Sequence, residues 1–360
     1  MSPSPSALER ERLLANPGFG RIFTDHMVRA TWTLEGGWTR LELVDYEPLL
    51  LDPGTAVLHY AQAVFEGLKA FRQKDGGVAA FRPDAHAVRF RNSARRLALP
   101  ELPEQSFLDA IDLVLAADHE WVPAAPEHSL YLRPLMYASD VSLSVHPSHE
   151  VTFLLIASPS GPYFPRGVQP VTVWLSEDFS RAAPGGTGAA KTGGNYAGGL
   201  LAQAQAAEQG CDQVVWLDSH EHRWVEEMGG MNLFFVFGRG AGTRLMTPAL
   251  TGTLLPGVTR DSLLQLARDI GFAAEEGRIS IEDWRAQCAD GSLTEVFACG
   301  TAAVITPVGV VKSARGSWAV GDGGPGNISM RLRQVLVDIQ RGAAPDKHRW
   351  LHHARVSSKE

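Results

Sequence analysis

Residues Pro184–Gly199, "PGGTGAAKTGGNYAGG", decide how this chain is read. The stretch holds seven glycines and one lysine, Lys191. From Gly185 it nearly spells the phosphate-loop pattern G-x-x-x-x-G-K-[ST], but Ala190 stands where the last glycine belongs. That glycine lets consecutive backbone N–H groups curl around phosphates, and the loop should leave a buried strand directly. Here mostly polar or small residues separate it from the nearest strand-like run, "VTVWL" (Val171–Leu175). The pattern argues against a nucleotide loop. Two readings remain: a solvated lysine in a glycine-rich surface loop, or a lysine set among small residues so that a bulky ligand can approach the backbone.

Composition narrows the classes. A chain of 360 residues suggests two domains at roughly 100–200 residues each. Hydrophobic residues make up 44%, enough for sizeable cores. A net charge of −7 gives no basic field for nucleic acid or an anionic membrane. Cys211, Cys288 and Cys299 form no CxxC and no disulfide framework, as in a reducing compartment. There is no apolar run of about 18 residues and no signal-peptide core at the N-terminus. The expectation is a soluble, cytoplasmic, globular protein.

Periodicity predicts strands at "WTRLELVDYEPLLL", "GGVAAFRP", "SLYLRPLMYA" and "HEVTFLLIAS", and helices at "DAHAVRFRNSARRLAL" and "EQSFLDAIDLVLAADHEWV". "PSGPYFPRGVQP" reads as a linker. The expected division is 1–162, a linker over 163–175, and 176–360. In the second part, "VTVWLSE", "DQVVWLD", "NLFFVFG", "TRLMTP", "SLTEVFACG" and "TAAVITPVGVV" read as strands. "YAGGLLAQAQAAEQG", "GVTRDSLLQLARDIG" and "NISMRLRQVLVDIQRG" read as helices. The class is α+β or mixed α/β.

Several stretches could carry chemistry. His220–His222, "HEH", falls in a turn without a third metal ligand at a recognisable spacing, so no metal site is expected. Arg89 and Arg96 share a helix face and could bind an anion, or simply be solvated. "LPGVTRDSLLQLA" opens a helix whose first N–H groups, near Val258 and Thr259, are free donors at the positive end of the dipole. Thr301 sits in a small-residue turn that suits either an anion or nothing but the turn. Glu226 and Glu227 precede a Gly-Gly step into an apolar strand, where a carboxylate is costly unless paired. A lysine, anion donors and a carboxylate together are the equipment for pyridoxal 5′-phosphate.

The ordered motifs "LHYAQAVFEGLKAFR", "LYLRPLMY", "GPYF", "AAKTGGNYAGGLLAQ", "EEMGGMNLF", "LPGVTR" and "CGTAAVITPV" resemble those of the fold type IV branched-chain amino acid aminotransferases, nearly end to end. The resemblance implies two domains with the cofactor at their interface, the second domain carrying Lys191 as the Schiff-base lysine. It implies that Tyr196 bonds the ring oxygen and Glu227 the ring nitrogen. Arg89, Val258, Thr259 and Thr301 would hold the phosphate. Tyr60, Tyr131, Arg133 and the Ala302 N–H would receive carboxylates. Phe19, Phe65 and Tyr163 would line the apolar pocket, with Leu143 and Val145 arriving from the other subunit of a homodimer. The implied reaction is reversible ping-pong transfer of the amino group between L-leucine, L-isoleucine or L-valine and 2-oxoglutarate.

The chain departs from the mammalian members at two places. Ala303 and Thr306 replace their CxxC pair, so no thiol switch is expected there, and Gly230 replaces a threonine. D-amino acid aminotransferases and aminodeoxychorismate lyases share the lysine and phosphate logic, but "YLRP" and "GPYF" speak against them.

Overall fold

The computed structural model describes residues 5–163 and 167–354. They form two compact units. Of the described residues, one takes 5–163, 190–193 and 338–354; the other takes 167–189 and 194–337.

The first unit is built on an antiparallel sheet. Its described strands run in the order Leu351–His353, Val78–Phe81, Leu68–Arg72, Ser129–Ala138, Glu150–Ser160, His26–Thr33 and Gly37–Trp38. Glu42–Asp45 pairs with His26–Thr33, and Ala63–Phe65 with Ser129–Ala138. The longest pairing, Ser129–Ala138 with Glu150–Ser160, keeps one register over ten residue pairs. Helices Pro83–Arg96 and Glu104–Asp118 place apolar faces in the core cluster with the sheet. Phe90 is the junction, with ring centroids 5.5 Å from Phe107 and 5.9 Å from Phe153.

The second unit closes a sheet on itself. Val225–Met228, Gln213–Leu217, Val171–Leu175, Val304–Ser313, Leu293–Gly300 and Met231–Phe237 pair in turn, and the last pairs back with the first. Closure leaves those strands without open edges. Val171–Leu175 runs parallel to both its neighbours, and helix Leu200–Glu208 lies in the crossover to Gln213–Leu217. Arg244–Pro248 and Ala273–Gly277 extend the sheet beyond Met231–Phe237. Trp284, fully buried, packs edge-on against Phe235 and Trp318 at 5.2 and 5.9 Å.

The structure differs from the sequence reading in several places. The tetrapeptide Ala190–Gly193 belongs to the first unit, not to a domain 176–360, because its backbone is stitched to the first sheet. The C-terminal residues also join the first unit: Leu351–His353 pairs with Val78–Phe81, and the Arg341 guanidinium donates to the carbonyls of His128 and Ala124. In the expected linker 163–175, residues 164–166 lie outside the described residues, and Val171–Leu175 is a sheet strand. The expected helix from Tyr196 to Gly210 is broken into Gly194–Ala197 and Leu200–Glu208. Gly199 at the break lies so near Trp216 that a Cβ there would be 3.0 Å from the indole. "WTRLELVDYEPLLL" yields only the short strands Gly37–Trp38 and Glu42–Asp45. No described helix is long and apolar enough to cross a membrane.

Trp284→Ala removes the largest side chain from the second core. It should cost about 3–5 kcal/mol, read by chemical denaturation.

Candidate active site

In the first unit the site is assembled around Lys191. Four contacts pin its segment. The Phe65 N–H donates to the Lys191 carbonyl at 3.0 Å, and the Lys191 N–H donates to Ser93 Oγ at 2.9 Å. Thr192 bridges to Val64 and donates its hydroxyl to the Ala63 carbonyl at 2.8 Å. The glycine-rich stretch thus presents its lysine on a fixed backbone.

Lys191 Nζ lies 4.8 Å from the Phe65 ring centroid, and the Arg133 guanidinium lies 4.8 Å from the same ring. Tyr131 and Arg133 are two apart on one strand and share its face. Arg133 Nη2 donates to the Tyr131 hydroxyl at 3.1 Å, and Phe19 meets Tyr131 edge-on at 5.0 Å. Burial of the amine, then the positive charge of Arg89 and of Arg133, lowers the Lys191 pKa to about 8, with Glu66 and Tyr131 opposing. The amine is therefore available as a base or nucleophile close to neutral pH.

Arg89 is buried and bound to Glu66 at two points: Nε to Oε1 at 2.7 Å and Nη2 to Oε2 at 2.8 Å. His86 Nδ1 lies 2.7 Å from the same carboxylate. Burial works against ionising Glu66, but Arg89 and then His86 outweigh it and hold its carboxyl far below the usual range. Burial pushes the His86 pKa down, against the pull of Glu66. Arg96, by contrast, is exposed in the last helical turn, so the shared face of Arg89 and Arg96 does not make a joint site.

The other first-unit residues are more open. Tyr60 donates its hydroxyl to the Leu143 carbonyl. Leu143 and Val145 are 67% and 82% exposed, unusual for residues of this type in one loop. Phe19 and Tyr163 are also exposed.

In the second unit the centre is Glu227, in strand Val225–Met228 and 1% exposed. Its Oε1 accepts from the Leu255 N–H at 2.6 Å and Asn232 Nδ2 at 3.2 Å; its Oε2 pairs with Arg181 Nε at 3.0 Å. Arg181 Nη1 also donates to the carbonyls of Thr253 and Gly188, at 2.8 and 3.1 Å. Gly188 is required for this fit, because a Cβ there would lie 2.2 Å from the Thr253 carbonyl oxygen.

Asn232 pairs with Glu227 on one side and Cys299 on the other, so the carboxylate is linked across the sheet to the Gly300–Ala303 region. There Thr301 and Ala302 make the turn between Leu293–Gly300 and Val304–Ser313. Helix Val258–Asp269 begins at Gly257 with no side-chain cap, and Val258 and Thr259 are buried in its first turn. Its leading N–H groups suit an anion. Tyr196 stands beside Gly230, where a Cβ would be 3.3 Å from its ring.

His220–His222 forms a turn organised by Asp218, which accepts from the backbone N–H groups of His220, Glu221, Arg223 and Trp224. Sequence reasoning missed Glu66, His86 and Ser93 around Lys191, and Arg181, Asn232 and Thr253 around Glu227. For Glu66 a signal existed: a carboxylate inside the run Ala63–Arg72 is tolerated only when paired. Nothing near Arg181 in the sequence marks its partner, 46 residues away in the chain by the difference of their numbers.

Residues 63–311 match the family described as "Amino-transferase class IV". A Mycolicibacterium smegmatis protein named branched-chain-amino-acid aminotransferase is 58% identical over 97% of this chain and 95% of its own. The crystal structure of the Escherichia coli branched-chain amino acid aminotransferase superposes with a TM-score of 0.73 at 30% identity, over 89% of this chain and 98% of that one. A T.th. branched-chain amino acid aminotransferase complexed with N-(5′-phosphopyridoxyl)-L-glutamate gives 0.71 at 29% identity, over 90% and 97%.

Gly67 leaves room for Tyr131: a Cβ there would lie 1.8 Å from the tyrosine oxygen. Gly67→Ala should cost about 1–3 kcal/mol by overpacking. Adding Tyr131→Ala should recover part of that loss, which a thermal-unfolding cycle on the four proteins measures. In cofactor-free protein, acylation of Lys191 should rise with pH around a midpoint of about 8, well below the roughly 10.4 of exposed lysines. The sign for stability follows. The folded amine sheds its proton near pH 8, while the unfolded one keeps it to about 10.4. Stability from this group therefore rises with pH across that window.

Proposed function

The chain belongs to the class IV amino-transferase family, a pyridoxal-phosphate-dependent aminotransferase, and from that premise we propose that it exchanges amino groups between branched-chain L-amino acids and 2-oxoglutarate. The reaction releases the branched 2-oxo acid and L-glutamate in a ping-pong cycle through Lys191. The names of the similar proteins support the branched-chain side. The phosphopyridoxyl-glutamate complex of a structural neighbour supports the glutamate side. The observation that carries the reading is the Lys191 amine, held with a pKa of about 8 between Phe65 and two arginines.

The donor set fits the cofactor. It offers an amine whose pKa is lowered to about 8, a carboxylate paired with Arg181, and anion donors at Arg89 and the start of helix Val258–Asp269. When bound, pyridoxal phosphate supplies an electrophilic carbon and a ring that takes up the electrons of the substrate's α-C–H bond.

The protein's own residues do the rest. Lys191 Nζ would hold the cofactor and, when free, would move the proton between the substrate Cα and the cofactor carbon. Glu227 would favour a proton on the ring nitrogen, and Tyr196 would bond the ring oxygen. Arg89, the N–H groups of Val258 and Thr259, and Thr301 would hold the phosphate, with Glu66 fixing the Arg89 guanidinium. The Ala302 N–H, Tyr60, Tyr131 and Arg133 receive carboxylates. Phe19, Phe65 and Tyr163 bound the aliphatic side chain. Leu143 and Val145 serve the pocket of a second copy in a cytoplasmic homodimer, a role their exposure supports.

The test is the visible spectrum of the purified protein. Its yellow band should bleach with L-leucine and return with 2-oxoglutarate, and Lys191→Ala should abolish the cycle. A colourless protein that stays so with added pyridoxal phosphate overturns the reading. Arg133→Ala should lower kcat/KM for glutamate and 2-oxoglutarate by about 10–100-fold, the loss of one charged hydrogen bond, and change leucine less. Equal losses would refute that division of labour.

A further inference from the structure

Strand Val225–Met228 carries two carboxylates with different fates. Glu227 has the Arg181 guanidinium at 3.0 Å. Its neighbour Glu226 faces the other side of the strand. Glu226 is 7% exposed, and its Oε1 accepts the Thr253 hydroxyl. Its Oε2 is buried with no hydrogen-bond partner among the described residues.

A cavity of about 290 Å³ lies against it, lined by Glu226, Trp224, Arg278, Thr253, Pro248 and Leu254 among others. Trp224 Nε1 is a second buried polar atom without a partner among the described residues. The Arg278 guanidinium stacks on the same indole, 4.0 Å from its centroid. Asp218 also lines the cavity, but its oxygens already accept four backbone N–H groups.

An unpartnered carboxylate oxygen calls for a donor, and an unpartnered indole N–H calls for an acceptor. We propose that this cavity binds a small zwitterion, its primary ammonium on Glu226 Oε2 and its carboxylate on the Trp224 N–H and the Arg278 guanidinium. Free amino acids of modest size belong to this class. The volume suits them, since pockets for larger ligands run from about 300 to 1,000 Å³. The apolar walls at Pro248 and Leu254 accept a short aliphatic portion. A metal ion fits worse: no group of three ligating side chains exists among the described residues. Burial raises the Glu226 pKa, so the isolated carboxylate is disfavoured and an ammonium beside it restores its charge balance.

The site stands apart from the catalytic reading, and its test is a binding test. Borohydride-reduced holoenzyme, whose cofactor carbon can no longer capture an amine, is titrated calorimetrically with β-alanine, propylammonium chloride and sodium propionate. Wild type should show one saturable β-alanine event per protomer. Glu226→Gln should weaken it by about tenfold or more, as expected for losing a charged hydrogen bond. Arg278→Met, at an exposed position, should weaken β-alanine but leave propylammonium unchanged. Thermal unfolding checks that both variants are folded; if Glu226→Gln is not, Arg278→Met decides. Absence of saturable β-alanine binding in wild type overturns the proposal, as does equal binding by wild type and the folded variants.

Discussion

A carboxylate taken out of water must be answered by cations and N–H groups, and two such carboxylates organise this protein. Glu66 draws Arg89 and His86 onto one spot of the first unit. Glu227 draws Arg181, Asn232 and the Leu255 N–H onto one spot of the second. Leaving either charge unanswered would cost several kcal/mol. The elements that bring the partners, helix Pro83–Arg96 and the loop around Thr253–Leu255, are therefore fixed by the acids they serve. The functional side chains ride on these fixed elements. Arg89 is aimed by Glu66, and the helix start at Val258 follows three residues after the N–H that Glu227 holds.

Glycine does a different part of the work. At Gly188 the chain passes so close to Thr253 that no side chain fits. At Gly257 a Cβ would meet the Asn232 amide oxygen at 2.0 Å. Both positions bring backbone against the partners of Glu227. The glycine-rich stretch that first resembled a phosphate loop is thus glycine-rich partly for packing. Its lysine is positioned by Ala63, Phe65 and Ser93, all from another part of the chain.

This explains what the sequence made legible. Strands Ser129–Ala138 and Glu150–Ser160 were readable, the first to the residue and the second nearly so, because both are rich in apolar and aromatic residues. Lys191 was readable as chemistry in search of a site, while only the family resemblance singled out Arg89 from Arg96 and Glu227 from Glu226. The partners of these residues were not readable, because the contacts are long-range and register-dependent. Periodicity cannot show that Ser93 meets Lys191, nor that Leu351–His353 returns to the first sheet. Other omissions were avoidable. Ser6 and Glu9 spell a capping box, and they do cap helix Ala7–Ala15. The broken helix at Gly198–Gly199 was foreshadowed by two adjacent glycines.

The lysine's acidity is set by opposition rather than by burial alone. Burial and Arg89 push the proton off; Glu66 pulls it back, and Glu66 is bound to Arg89. Burial leads, and the two charges of this pair act on Nζ in opposite directions. An arginine placed there without Glu66 would drive the amine further down and would itself be an unpaired buried cation. An acid placed there without Arg89 would raise the amine towards its ordinary value. The pair therefore lets a permanent positive group sit near Lys191 while leaving the amine close to the neutral range in which proton transfer in both directions is useful.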